Sequence, residues 1–288
     1  MAVDTSVATT AVPSGTGLAV RLSMTLSVVA AVAAFLTFAV DGILVGPAVM
    51  NGSARGTALV MLVVGVPVLV VAARLAHRGS DRARFVWAGM AMYLTYNAFM
   101  LLAGTPINRL FLLYVATLGL AVATTAAIAR SSDVDVIVQR IDPTLPARRI
   151  AGYLGAIVVL NALAWLARVV PATVDDRMSD LVDGMGLATV PTYLQDLSFW
   201  LPLLGFGSWL LWHRRVWGYA IGGAGLAFWA LEAVTVAVDQ WFGHRADPTS
   251  AVASDAVVIP FAILAVVGTA VLWSFLRHVD VQPDADAA

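Results

Sequence analysis

The chain contains no cysteine and no lysine, and charged residues occupy only 12% of its 288 positions. Without cysteine there is no disulfide, thiolate metal site or cysteine nucleophile, and the redox compartment leaves no trace. Without lysine there is no retinal or pyridoxal Schiff base and no Walker A clamp, which excludes rhodopsin-type and P-loop chemistry. All 17 basic residues are arginine and the formal charge is −1. No basic face is available for phosphates, so no nucleic-acid partner is expected. The four histidines, His77, His213, His244 and His278, form neither an HExxH motif nor an i, i+4 pair. No metal site and no other cofactor is therefore expected.

What the chain has instead is length of apolar run. Hydrophobic residues make up 60% of it, far above a soluble domain of this size. A spanning helix needs roughly 20 mostly apolar residues, and such runs fall at 20–42, 57–76, 84–103, 108–129, 149–170, 197–212, 215–240 and 252–276. The expected fold is an all-α integral membrane bundle of about eight transmembrane helices over 20–277. Polar tails, expected to be disordered, flank it at 1–19 and 278–288. The first residues lack the basic start of a cleaved signal peptide, so the first helix is expected to be retained. Segment 42–50, interrupted by Gly46 and Pro47, suits an extension of helix 1, a re-entrant piece or an interfacial piece.

Arginines sort by loop. Arg74, Arg78, Arg82, Arg84, Arg130, Arg140, Arg148, Arg149, Arg214 and Arg215, together with Arg21 and Arg277, fall on one side; Arg55, Arg109, Arg168, Arg177 and Arg245 fall on the other. The positive-inside rule then places both termini in the cytoplasm. Stretch 131–149 alternates polar and apolar residues through DVDVIVQRI before Pro143 and Pro146, which suits a strand or an extended interfacial segment. The outer loop 171–196 is acidic, and Asp176, Asp180 and Asp183 are expected on its solvated face. Gly218 and Gly222 form a small-residue pair suited to helix packing. Pro67, Pro202 and Pro260 interrupt spans and can kink them. By eye the two halves show no clear repeat.

Ionisable groups inside a bilayer are expensive, on the order of 3 kcal/mol or more near its centre, and mark functional sites by default. Glu232, Thr235 and Asp239 share one helical face. Asn161, Trp165 and Arg168 share another, as do Tyr93 and Asn97. Asp41, Arg109, Asp196 and Asp255 stand at helix ends. All fall in the outer half of the bundle. The arrangement predicts an outward-opening polar cavity lined by Asp41, Asn97, Arg109, Asn161, Arg168, Asp196, Glu232 and Asp239, holding a small solute, ion or proton. Glu232 is the expected titrating group and Arg109 its counter-charge. The alternative is a set of interhelical locks that only fix packing.

Three segments, TYNAFMLLAGTPINRLFLLYVA (95–116), PTYLQDLSFWLPLL (191–204) and RRVWGYAIGG (214–223), resemble stretches of an uncharacterised family of prokaryotic multi-pass membrane proteins. In that family an asparagine-arginine pair opens one helix and an aspartate-leucine pair another. The resemblance implies a plasma (inner) membrane protein with Asn97, Asn108, Arg109, Tyr193 and Asp196 as matching positions, and it implies no activity. Binding or transport is the first expectation. An intramembrane enzyme acting on a lipid or lipid-linked substrate, with Asp196 or Glu232 as general base, is the alternative, and a structural subunit of a membrane complex is a third. No catalytic residue is assigned, because no nucleophile-base pair stands at recognisable spacing. The oligomeric state is not encoded in any feature of the chain.

Overall fold

A computed structural model describes residues 16–280, and there the chain is all-helical. Seven helices are long and apolar enough to cross a membrane. They are α1 (Thr16–Ala39), the continuous span Ala48–His77, α4 (Asp81–Ala103), α5 (Phe111–Ser131), α7 (Ala147–Val174), α10 (Val216–Ala246) and α11 (Asp255–Leu276). The span Ala48–His77 consists of α2 (Ala48–Val60), a π-turn at Met61–Gly65 and α3 (Val66–His77). The multi-pass membrane architecture follows from these lengths and compositions.

The run expected at 197–212 is part of a longer, more polar helical segment. It comprises α8 (Pro191–Gln195), a π-turn at Asp196–Trp200 and α9 (Leu201–Trp212). Its side chains fix its direction. Asp196 lies level with Trp165 and Ser208 bonds the Ala151 carbonyl, so the segment runs antiparallel to α7. At 1.5 Å per residue, 191–212 is roughly 33 Å long.

Several helix ends are set by short polar side chains. Ser80 accepts from the Ala83 amide at the start of α4, and Ser254 accepts from the Ala256 amide at the start of α11. Within the spans, Ser23, Thr37, Thr95, Thr117 and Thr269 bond the carbonyl four residues back, satisfying their hydroxyls where no water is at hand. The helix α10 is the centre of the bundle: 78% of its apolar window is buried, against 11% for α11, which faces outward over most of its surface.

Several boundaries differ from the sequence expectations. The first helix begins at Thr16 rather than 20 and ends at Ala39, and Val279 is fully buried rather than part of a loose tail. Residues 1–15 and 281–288, the rest of the two expected tails, lie outside the described residues. Segment 42–50 neither lengthens α1 nor forms a separate element: 40–47 is a turn, and α2 starts at Ala48. The polar stretch Asn51–Arg55 is helical because α2 packs directly on α10. A Cβ at Gly52 would lie 2.6 Å from the Phe242 carbonyl, and one at Gly56 would lie 2.7 Å from the Asp239 Cα. Small residues at four-residue spacing give this close approach.

Stretch 131–149 is not a strand. Asp133 caps a short helix, α6 (Val134–Gln139), by accepting from the Val136 amide. Ile137 and Ile141 turn inward while Val136 is exposed, so spacing of three and four residues prevails over alternation. Among the described residues, β pairing is limited to the isolated bridge Ile141–Val279. In 171–196 the helix α7 continues past Pro171 to Val174, and a single 3-10 turn, Met178–Val182, follows with Asp180 exposed. Gly218 and Gly222 face Leu211 of α9, inside the bundle.

Candidate functional site

Two helices that cross at the centre of the bundle carry the site. At Gly89 of α4 an added Cβ would lie 2.5 Å from the Ala224 carbonyl of α10, so only glycine permits this approach. Two turns further along, the same faces present Asn97 and Glu232, the only glutamate in the chain. Asn97 Nδ2 donates to Glu232 Oε2 at 2.7 Å and also to the Tyr93 carbonyl at 3.1 Å. The Tyr93 hydroxyl pairs with Thr235 Oγ1 at 2.9 Å, one turn beyond Glu232. Asn97 and Glu232 are buried, with 1% and 4% of their surface exposed.

The other walls arrive from separate elements. Asp196 opens the π-turn before α9, and its Oδ2 accepts from Trp165 Nε1 of α7 at 2.9 Å. Asn161, one turn before Trp165, donates to the Ile157 carbonyl. Asp239 is partly buried; Gln240 Nε2 donates to its Oδ1 at 3.2 Å, and Ser53 of α2 donates to its backbone carbonyl. Together these groups line a cavity of about 140 Å³. Tyr96, Trp165 and Trp229 provide aromatic wall, and Thr57 and Thr192 provide hydroxyls.

Of the residues expected to share a cavity, Asn97, Asn161, Asp196, Glu232 and Asp239 line this one. Asp41, Arg109 and Arg168 do not. Asp41 is exposed and pairs with Arg55 at 2.7 Å across the turn between α1 and α2. Arg109 lies in the turn before α5, where the Asn108 side chain accepts from the Leu110 amide and leaves the guanidinium in the exposed surface. It is not the counter-charge of Glu232. Arg168 is likewise exposed, beside Arg177 and Asp180 in a separate depression.

The lining holds the three carboxyl groups of Asp196, Glu232 and Asp239 and neither arginine nor histidine. One fully buried donor in the lining is left over. Trp229 is 6% exposed, it lines the cavity, and its Nε1–H has no partner among the described residues. Sequence reasoning passed over Trp229, Thr57 and Gln240. For Trp229 the signal was present, since it lies three residues before Glu232 and so on the same helical face. For Thr57 there was none, because its place depends on the α2–α10 contact. Among the described residues no group of three metal-ligating side chains is assembled. Compared with known protein families, curated proteins and solved structures, the chain matches none.

Proposed function

We propose that this multi-pass membrane protein binds a small cation, best an organic ammonium, in the cavity that α4, α7 and α10 form with α8 and the π-turn Asp196–Trp200. The observation that carries this reading is the composition of the walls: three carboxylates, no basic side chain, aromatic faces and one unpartnered indole N–H. Carboxylates gathered from separate helices in a low-dielectric site call for positive charge. The faces of Tyr96, Trp165 and Trp229 suit an alkylammonium through cation–π attraction. Size restricts the ligand, since an engineered cavity of about 150 Å³ accommodates benzene. The indole N–H suits a water or a hydroxyl acceptor carried in with the cation.

In this reading 191–212 completes eight spans and both termini face the cytoplasm of a prokaryotic inner membrane. Supporting it, arginines gather at the end of the bundle away from the cavity: Glu232 lies 16 positions past Val216, about 24 Å along α10 from the Arg214–Arg215 pair. The cavity then belongs to the outer half.

Equilibrium binding of tetramethylammonium and methylammonium to the purified protein in nanodiscs tests the proposal. Removing one partner of a desolvated charge pair weakens binding by about 2–5 kcal/mol, so Glu232→Gln should lower affinity by roughly 30-fold or more. Gln preserves an acceptor for Asn97, and thermal stability should be nearly unchanged. Equal binding by the variant, or binding by neither protein, overturns the assignment.

A further inference from the structure

The two halves of the bundle share a register that side-chain identity conceals. Several backbone peculiarities of the first half recur 135 positions later. The π-turn Met61–Gly65 returns as Asp196–Trp200, and the proline that follows it, Pro67, returns as Pro202. The helix ending at His77 matches the one ending at Trp212; the left-handed turn residue Gly79 matches Arg214, at φ 99° and 54°; and α4 starting at Asp81 matches α10 starting at Val216. The α1 terminus Ala39 matches the α7 terminus Val174.

Contacts repeat as well. A Cβ at Gly65 would press on the Tyr93 ring, and the equivalent Trp200 stacks on the equivalent Phe228 at 5.1 Å. At the crossing of the halves, equivalent residues meet each other, as an isologous two-fold contact requires. Gly89 abuts Ala224, and Asn97 bonds Glu232. Helical hairpins are common in membranes, but π-turn, proline, left-handed turn and buried polar pair in one shared register are not a general property of hairpins.

We infer that the chain is a tandem duplication of a four-helix unit and works as a carrier, the two units rocking about the seam where Asn97 meets Glu232 so that the cavity opens to each face in turn. Four spans per unit make the repeats parallel, related by an axis along the membrane normal, and place the site at their interface. The weakest points of the backbone ladder are equivalent too. Proline has no N–H, so Pro67 and Pro202 leave the carbonyls of Val63 and Ser198 without their usual partner, inside the two π-turns. The outer closure is the α2–α10 seam at Gly52 and Gly56, and the inner closure includes the edge-to-face pair Phe85–Phe275 and the Arg82 side chain on the Val279 carbonyl.

This inference rests on the cavity being a cation site, and one experiment separates the two. The chain has no cysteine, so single thiols at Ala233 or Met100, both lining the cavity, report without background. Ala233→Cys and Met100→Cys are exposed to a membrane-impermeant maleimide in right-side-out and in inside-out vesicles. Carrier action requires labelling above the cysteine-free parent from both faces. Labelling from the outer face alone overturns the carrier and leaves a fixed outward pocket standing. Labelling from the cytoplasmic face alone overturns both the carrier and the outward placement. Labelling only after denaturation overturns carrier and cation site together. Two reporters guard against one of them failing to fold.

Discussion

The α4–α10 crossing makes a quantitative prediction at Gly89. Ala at this position places a methyl 2.5 Å from the Ala224 carbonyl oxygen, 2.6 Å from the Ala227 Cβ and 3.0 Å from the Phe228 nitrogen. Favourable heavy-atom contact begins near 3.5 Å, so the shortfall is about 1 Å. Two of the three atoms are backbone and cannot rotate away. The helices must separate, and overpacking of this kind typically costs about 1–3 kcal/mol. Asn97 lies eight residues further on, about 12 Å along the axis, where a comparable separation stretches its 2.7 Å bond to Glu232 past hydrogen-bonding range. An interhelical hydrogen bond in a membrane contributes roughly 0.6 kcal/mol and at most about 1.7. Gly89→Ala should therefore lose about 2–4 kcal/mol. Reversible unfolding in mixed micelles reads this directly. Gly119→Ala is the control: nothing lies within 4 Å of its added Cβ, and helix propensity favours it by up to about 1 kcal/mol. If Gly89→Ala unfolds within about 0.5 kcal/mol of the parent, the crossing is not the rigid centre described here.

Other outcomes follow from the same geometry. Trp229→Phe removes an indole N–H that has no protein partner, so folding stability should hold while ammonium affinity falls; a large loss of stability would mean the N–H is bonded after all. Arg109→Ala and Arg168→Ala should each change stability by less than about 0.5 kcal/mol and leave binding intact, since both side chains are exposed and remote from the cavity. A loss of binding in the Arg109 variant would restore the counter-charge that the sequence suggested, and a loss in the Arg168 variant would return that residue to the cavity wall. Exchanging the paired groups, Asn97→Glu with Glu232→Asn, should retain ammonium binding where Glu232→Asn alone loses it, because the two positions are equivalent across the seam. Failure of the double variant to bind, with normal folding, would count against that equivalence.

The membrane class was legible because hydropathy over twenty residues depends on no tertiary contact. Boundaries were less so. The polar start of α2 is helical only because Gly52 and Gly56 fit against α10, a partner nearly two hundred residues away in sequence. Stretch 131–149 offered both periods at once, and burial of Ile137 and Ile141 decided between them.

In the site, helical spacing grouped Glu232 with Asp239 and Asn161 with Trp165, and shared depth brought these groups together with Asn97 and Asp196. Depth alone also drew in Asp41 and Arg109, and the spacing that grouped Asn161 with Trp165 drew in Arg168, which is exposed beside Arg177 and Asp180. Residues at helix ends can be level with a cavity and still face solvent, which no linear spacing reveals. The proposed duplication is hidden in the sequence for a related reason: over the aligned helices only scattered positions such as Leu62/Leu197, Pro67/Pro202 and Ala98/Ala233 are identical. What recurs is backbone, and backbone features appear only once the chain is folded.

The central claim is that carboxylates from separate helices share one cavity and hold a positive charge there. An experimental density map of the protein in nanodiscs with tetramethylammonium tests it most directly. The account predicts a discrete feature bounded by Glu232, Asp239 and the ring of Trp229. The same map with no feature in the cavity at saturating tetramethylammonium, the three carboxyl groups keeping only their bonds to Asn97, Trp165 and Gln240, would contradict it.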